Sequence, residues 1–257
     1  MPELSFSIEL LALLFATGLI AGAIDAIAGG GGLIALPMLL ATGISPTQAL
    51  ATNKLQGSFG TFSSSLFFIR KGLINLRQVW FMVLCTFIGS MSGTLLVQSI
   101  SLEYLSSLIP VLLILVGVYF WLSPNIGADE TRQRISHNLF ALTVGFSIGF
   151  YDGFFGPGAG SFFAVGFVLL LGFNLTRATA HTKILNLTSN LASLLFFIIG
   201  GHVIWQLGLT MAVGQFIGAR VGAHLVFMRG SKLVRPMIVS VSLIISLKLL
   251  LSNFGIL

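Results

Sequence analysis

Charged side chains are scarce in this chain. Only 8% of its 257 residues are Asp, Glu, Lys or Arg, whereas soluble domains carry about 25%. Hydrophobic residues make up 56% and the mean hydropathy is +1.02, so a soluble globular protein is excluded. The 13 Lys and Arg outnumber the 7 acids, but they lie at the ends of apolar runs, where they indicate membrane topology rather than a face for nucleic acid.

Cysteine is also scarce. The single one, Cys85, lies inside an apolar run, which excludes an internal disulfide and predicts a packing role. The N-terminus carries Glu3 and Glu9 without a basic residue, unlike a secretory signal peptide, so we predict a retained first helix. The sequence has no metal-ligand cluster, phosphate loop or nucleotide motif, and we therefore expect no metal, no cofactor and no nucleic-acid partner.

Apolar runs long enough to span a bilayer are joined by short loops. The runs at 79–98 and 105–122 approach the about 20 residues that a spanning helix needs. The longest polar stretch, 123–136, contains both acidic and basic residues. We predict an all-α integral membrane protein with a first membrane repeat at 1–122, a cytoplasmic connecting loop at 123–136 and a second membrane repeat at 137–257.

A glycine-rich break occurs twice in the chain. The sequences Gly-Gly-Gly-Gly and Gly-Pro-Gly-Ala-Gly begin four residues after Asp25 and Asp152, respectively. After each break comes a short apolar segment and then a helix whose first half is polar. This helix contains Lys54 in the first half of the chain and Lys183 in the second. Asp152 follows Asp25 by 127 positions, and Lys183 follows Lys54 by 129. Such a repeat through the whole chain is typical of secondary transporters.

The basic loops indicate how the two halves are oriented. Loops at 70–77, 132–134 and 229–235 are basic, whereas 200–206, which corresponds to 70–77, has no Lys or Arg. The positive-inside rule places the three basic loops in the cytoplasm. We therefore predict inverted repeats of about five helical segments each, with both termini outside.

The segments that follow the breaks, 33–42 and 161–171, cover only about 15–18 Å as helices. This length favours glycine-linked pairs that meet near the midplane, although charges alone leave spanning and re-entrant arrangements open. Backbone at this depth must lie against protein or a water-filled cavity, and helix starts attract anions. The alternative is that the glycines only permit close helix packing. The predicted substrate-binding residues are the glycine breaks and the polar positions that follow them: Gly30, Gly31, Gly32, Asn53, Lys54, Gln56, Gly158, Gly160, Ser161, His181, Thr182, Lys183 and Asn186.

Charges inside a membrane cost roughly 2.5–3.5 kcal/mol each and therefore indicate function. We expect Lys54 and Lys183 to neutralise an anion. Asp25 and Asp152 are candidates for carrying coupled protons, because burial disfavours a charged carboxylate. A compatible alternative is that salt bridges from Lys54 to Asp25 and from Lys183 to Asp152 stabilise the fold. His181 is either a proton relay or a hydrogen-bonded structural residue.

Four stretches carry a resemblance to a known family: AGAIDAIAGGGG at 21–32, ALATNKLQ at 49–56, GFYDGFFGP at 149–157 and ATAHTK at 178–183. Over nearly its whole length the chain resembles the TauE/SafE sulfite exporter family, most closely its YfcA-like branch. The resemblance implies movement of small anionic sulfur compounds, such as sulfite or organosulfonates, across a bacterial inner membrane. The exact anion, the direction, the coupling ion and any homo-oligomer stay open.

We predict a proton-coupled secondary transporter that works by alternating access, with a small anion and the lipid bilayer as its partners. An anion channel would use the same fold without alternating access. An intramembrane serine hydrolase is a remote alternative, with Ser161 as nucleophile and His181 or His202 as base. Ser161 lacks the following glycine of a nucleophile elbow, so we expect no enzymatic activity.

Overall fold

The computed structural model describes residues 6–105, 108, 111 and 130–230. Within these ranges the regular structure is entirely helical, which confirms the all-α prediction. The helices are α1 (Ile8–Ala28), α2 (Gly32–Ala41), α3 (Pro46–Arg70), α4 (Leu76–Ser99), α5 (137–154), α6 (Ala159–Leu171), α7 (Leu175–Ile199) and α8 (Trp205–Arg229). The expected helix at 233–251 and nearly all of the one at 105–122 lie outside the described residues.

Helix length separates the elements into two groups. Four of the described helices, α1, α4, α7 and α8, are long and apolar enough to cross a membrane. By contrast, α2 has 10 residues and α6 has 13, which gives lengths of about 15 and 20 Å against a hydrocarbon core of about 30 Å. The pattern is that of a multi-pass membrane protein containing two short helices.

Equivalent polar caps begin the two central helices. Ser45 and Gln48 form a capping box at the start of α3, with Pro46 as the first helical residue. At the start of α7, Asn174 Oδ1 accepts a hydrogen bond from the backbone N–H of Arg177 at 2.9 Å. These caps satisfy amides that a helix start leaves without partners. Each cap therefore fixes the start of a long helix, α3 or α7, after the short helix that precedes it.

The two halves pack through exchanged helices. Helix α1 lies along α8, and α4 lies along α5. The equivalent glycines Gly89 and Gly218 touch the backbone carbonyls of Phe146 and Leu19, and a methyl group on either glycine would overlap that carbonyl. Small residues allow membrane helices to approach this closely. The same backbone contact therefore occurs once on each side of the molecule.

The central helices α3 and α7 pack against each other and run antiparallel. Phe67, near the end of α3, shares an apolar cluster with Leu175 at the start of α7. Leu50, near the start of α3, shares a second cluster with Phe197 near the end of α7. The polar residues of both helices lie in sequence between these clusters, so the fold places a polar centre between two apolar ends.

From the sequence, the first helix of each half is expected to end at its aspartate, Asp25 or Asp152, but both helices extend further. Helix α1 continues through Asp25 to Ala28, and α5 continues through Asp152 to Phe154. Both carboxylates therefore lie in a final helical turn rather than at the end of a helix. The residues after Asp25 are apolar and compatible with a helix, and the chain turns only at a glycine. Helix α5 also contains a π-helical turn at Ala141–Gly145 that the sequence analysis did not predict.

A cavity of about 680 Å³ lies at one end of the helices. It is lined by the loop after α3, by Glu130 from the segment before α5, by the start of α7 and by the end of α8. The loop after α3, the connecting loop before α5 and the loop after α8 each contribute to this lining. The charge pattern predicts that these three loops lie on one side of the membrane. We call this space the loop-face cavity.

Candidate functional site

The two glycine breaks lie directly against each other. Gly29 ends α1 in the left-handed conformation, with φ of 75°, which glycine adopts without steric cost. A Cβ atom on Gly160 would lie 2.7 Å from the Cα atom of Gly29, and Ser161 Oγ donates a hydrogen bond to the carbonyl oxygen of Ala28. Close packing is therefore one role of these breaks, and it joins the two halves of the chain.

Two ion pairs cross between the halves. Lys54 Nζ donates to Asp152 Oδ1 at 2.6 Å. Lys183 Nζ donates to Asp25 Oδ2 at 3.0 Å and also to the backbone carbonyl oxygen of Asp25. The alternative of salt bridges within each half is therefore wrong in its pairing. Because the breaks pack against each other, the aspartate at the end of each broken helix meets the central helix of the other half.

All four charged side chains are withdrawn from solvent. Lys183 is 0% exposed, Lys54 1%, Asp152 2% and Asp25 7%. Asp152 Oδ2 additionally accepts a hydrogen bond from Ser189 Oγ. Buried charges are tolerated when they are paired and hydrogen-bonded. The four groups together carry no net charge when all of them are ionised.

A small polar cavity lies at these ion pairs, and we call it the central cavity. Its volume is about 30 Å³, enough for roughly two water molecules. The central cavity is therefore much smaller than a usual small-molecule pocket. Eight of the predicted site residues line the central cavity: Asp25, Gly32, Asn53, Lys54, Gln56, Asp152, Gly158 and Asn186.

The other predicted glycine-break residues lie beside this cavity rather than on its lining. Gly30 and Gly31 separate α1 from α2, and a Cβ atom on Gly31 would lie 2.6 Å from that of Asp25. Gly160 and Ser161 begin α6 and pack on the end of α1. These positions therefore shape the backbone around Asp25 and hold the two breaks together.

Three predicted residues on α7 have different surroundings. Lys183 reaches the central cavity through its pair with Asp25. Thr182 is buried, and in residues 6–105 and 130–230 its hydroxyl has no hydrogen-bond partner. His181 lines the loop-face cavity instead, and its Nδ1 lies 2.8 Å from the backbone carbonyl oxygen of Arg177. The sequence motif therefore contributes to two separate cavities.

The central cavity also contains residues that the sequence analysis missed. Gln215 on α8, Asn190 on α7 and Thr61 on α3 all line it. The amide oxygens of Gln56, Asn186 and Gln215 are buried, and none has a hydrogen-bond partner within the described part of the chain. Buried polar groups normally have partners, and side-chain amides offer both donors and acceptors to a ligand or water. The sequence signal that could have identified Gln215 is a polar amide inside the otherwise apolar α8.

Comparison with known proteins identifies the family. The sequence model of the sulfite exporter TauE/SafE family matches residues 14–249. The chain is 52% identical over 246 residues to the probable membrane transporter protein YfcA of Escherichia coli (strain K12), covering 96% of this chain and 91% of that protein. It is 48% identical over 246 residues to a probable membrane transporter protein of Haemophilus influenzae, covering 96% of each chain. It is also 46% identical over 250 residues to the probable membrane transporter protein ORF9 of Sinorhizobium sp, covering 97% and 95%. These names describe transporters rather than enzymes, and the chain belongs to the TauE/SafE family of membrane transporters.

Proposed function

We propose that this chain is a secondary transporter that moves small sulfur-containing oxyanions, such as sulfite or organosulfonates, across a bacterial inner membrane together with protons. The observation that carries the proposal is the crossed pair of buried Lys–Asp contacts around the central cavity. Ammonium groups attract an anion, and nearby amides provide hydrogen bonds to its oxygens. The description of the matching family as sulfite exporters supports this class of substrate.

Charge balance links anion binding to protons. Lys54 and Lys183 are already neutralised by their aspartates. A monoanion that entered the central cavity would leave a buried net negative charge, which is costly in a medium of low dielectric constant. A proton on Asp152 or Asp25 restores neutrality and releases a lysine Nζ for the anion. Anion and proton therefore bind most favourably together.

The arrangement of the halves supports alternating access through an inverted repeat. Helices α3 and α7 occupy equivalent places in the two halves and run antiparallel. Residues from the basic loops at 70–77 and 229–235, together with Glu130 from the connecting loop, line one cavity, as expected if that face is cytoplasmic and both termini lie outside. Carriers of this architecture bind substrate near the midplane, where the repeats meet. The small central cavity is suited to a closed intermediate of such a cycle.

Counterflow in proteoliposomes tests the proposal. Vesicles loaded with unlabelled sulfite should transiently accumulate labelled sulfite against its gradient, because a carrier exchanges its substrate across the membrane. The double variant Lys54→Met/Asp152→Asn should abolish this exchange. Lys71→Met is the matched control, because Lys71 is exposed after the end of α3. Sulfite flux without counterflow would favour a channel, and absence of flux for every sulfur oxyanion would refute the proposed substrate class.

Proton coupling has its own test. An inwardly directed proton gradient should accelerate sulfite uptake by the wild-type protein, measured alongside acidification of the vesicle interior. Asp25→Asn and Asp152→Asn should each weaken this dependence, because an asparagine cannot take up the coupled proton. Unchanged gradient dependence in both variants would exclude these carboxylates as the coupling groups.

A further inference from the structure

The loop-face cavity has the size and position of a second binding site. Its volume of about 680 Å³ lies within the roughly 300–1,000 Å³ that is usual for small-molecule pockets. Among the described residues, none lines both this cavity and the central one. The loop-face cavity is therefore a separate space, reached from the side on which the basic loops meet.

Two guanidinium groups and a helix start contribute positive charge to this cavity. Arg177 and Arg229 both line it, as does the Asn174 cap of α7. The guanidinium carbon of Arg177 lies 4.1 Å from the centroid of the Phe173 ring, a cation–π contact that holds the side chain in place. The start of α7 adds the positive end of its dipole. This combination favours an anionic ligand.

The carboxylate of Glu130 lies beside Arg177 and the start of α7. Glu130 Oε1 accepts hydrogen bonds from Asn174 Nδ2 at 3.3 Å and from Arg177 at 3.4 Å. The side chains of Arg177 and Glu130 are 39% and 52% exposed. Such a long, exposed ion pair contributes little to stability. An incoming oxyanion that binds a guanidinium through two oxygens can therefore replace Glu130.

A buried imidazole provides an independent indication of a ligand. His181 lines the loop-face cavity and is 2% exposed. Its Nδ1 lies 2.8 Å from the backbone carbonyl oxygen of Arg177 and therefore donates to it. The neutral ring then has Nε2 as an acceptor, and this buried atom has no hydrogen-bond partner among the residues that the structure describes. Nε2 is suited to a ligand hydroxyl or to a water molecule that the ligand holds.

Comparison of the two halves indicates that these residues are not required by the fold. At the start of α3, the positions equivalent to Arg177 and His181 are Gln48 and Thr52, each 129 residues earlier. Gln48 completes the helix cap, and Thr52 Oγ1 accepts a hydrogen bond from the backbone N–H of Ile204 at 3.1 Å. The start of α3 therefore has neutral side chains at the two positions where the equivalent start of α7 has a guanidinium and an imidazole.

We propose that the loop-face cavity is an oxyanion-binding site, and that the Glu130 carboxylate is displaced when the anion binds. The anion binds Arg177 in place of Glu130 and presents a hydroxyl or a held water to His181. His181 precedes Lys183 by two residues, so α7 contributes to both the loop-face cavity and the central ion pairs. The identification of the ligand with the transported anion rests on the proposed function.

Sulfite binding to the full-length protein in detergent, measured by calorimetry, tests this site. Arg177→Gln, which introduces the residue of the other half, should weaken binding about 10-fold because it removes a charge-assisted contact. Glu130→Gln should strengthen binding about 3-fold or more because it removes the competing carboxylate. Arg220→Gln is the matched control: Arg220 lies 4.9 Å from the Phe67 ring centroid and does not line the cavity. It should bind sulfite like the wild type.

The central double variant Lys54→Met/Asp152→Asn separates the two proposals. It should retain sulfite binding that depends on Arg177, even though its counterflow is lost. Affinities of Arg177→Gln and Glu130→Gln equal to that of the wild type would overturn the loop-face site, whatever the transport result. Binding that depends on Arg177 in a wild-type protein that transports no sulfur oxyanion would support the site and refute the proposed function. An equal loss of binding in Arg220→Gln would also overturn the site, by showing a general charge effect.

Discussion

The crossed ion pairs make a quantitative prediction about stability. Lys54 and Asp152 meet at 2.6 Å, where two unit charges attract by about 6 kcal/mol at an effective dielectric constant of 20. Desolvation of both groups offsets much of this attraction. Removing one partner leaves a buried, unpaired charge, and the usual cost is about 3–5 kcal/mol. Lys54→Met and Asp152→Asn should each lower the free energy of unfolding by that amount.

The double variant should be far less damaging than the two single changes together. Replacing a buried ion pair by neutral residues of similar size is often close to neutral. We therefore expect a coupling energy of at least about 2 kcal/mol between Lys54 and Asp152. Lys54→Met combined with Asp25→Asn is the control, because Asp25 pairs with Lys183 instead. Its coupling should be smaller than that between Lys54 and Asp152, because Lys54 and Asp25 share the central cavity but form no ion pair.

Unfolding of the purified protein by SDS in mixed micelles, followed by circular dichroism, gives the required free energies. The same titration is applied to the wild type, the single variants and the two double variants. Additive effects of Lys54→Met and Asp152→Asn would refute the crossed pairing. Larger coupling of Lys54 with Asp25 than with Asp152 would instead favour pairing within each half.

Three further predictions concern packing, chemistry and topology. Gly218→Ala should force α1 away from α8 and strongly lower the melting temperature. Leu96→Ala, at an exposed position of α4, is the control and should have little effect. Equal melting temperatures of the two variants would contradict the close contact between Gly218 and α1. Ser161→Ala should keep sulfite counterflow and lose only about 1 kcal/mol of stability from one hydrogen bond, and labelling of Ser161 by a serine-hydrolase probe would contradict its structural role. Single cysteines at Lys71 and His202 in a cysteine-free background should react with an impermeant maleimide from opposite sides of the cell membrane, and reaction from the same side would refute the inverted topology.

The helices were largely predictable because each has a local cause. Apolar length, the caps at Ser45 and Asn174, and the glycine after Ala28 are all visible in the sequence. The π-helical turn at Ala141–Gly145 was not, because a shift in hydrogen-bond register leaves no compositional mark. The continuation of α1 beyond Asp25 was missed because the polar residue was taken as the helix end, although the following residues favour a helix.

The site was predictable in its residue types but not in its contacts. The repeat identified both aspartates and both lysines as equivalent positions. It could not determine which copies meet, because equivalent residues keep equivalent surroundings whether pairs form within or between halves. Gln215 shows a related difficulty: α8 is distant in sequence from the breaks, and only its packing against α1 and α3 brings the amide to the central cavity.

The exchanged pairing also constrains how the protein is made. Asp25 precedes its partner Lys183 by 158 residues, and Lys54 precedes Asp152 by 98. At about 5–20 residues per second, α1 waits on the order of 10–30 s before the lysine that neutralises its carboxylate has been synthesised. The first half therefore enters the membrane with unpaired charges and without α8, against which α1 packs. We therefore expect α1 and α3 to reach their final packing only after α7 and α8 have been synthesised.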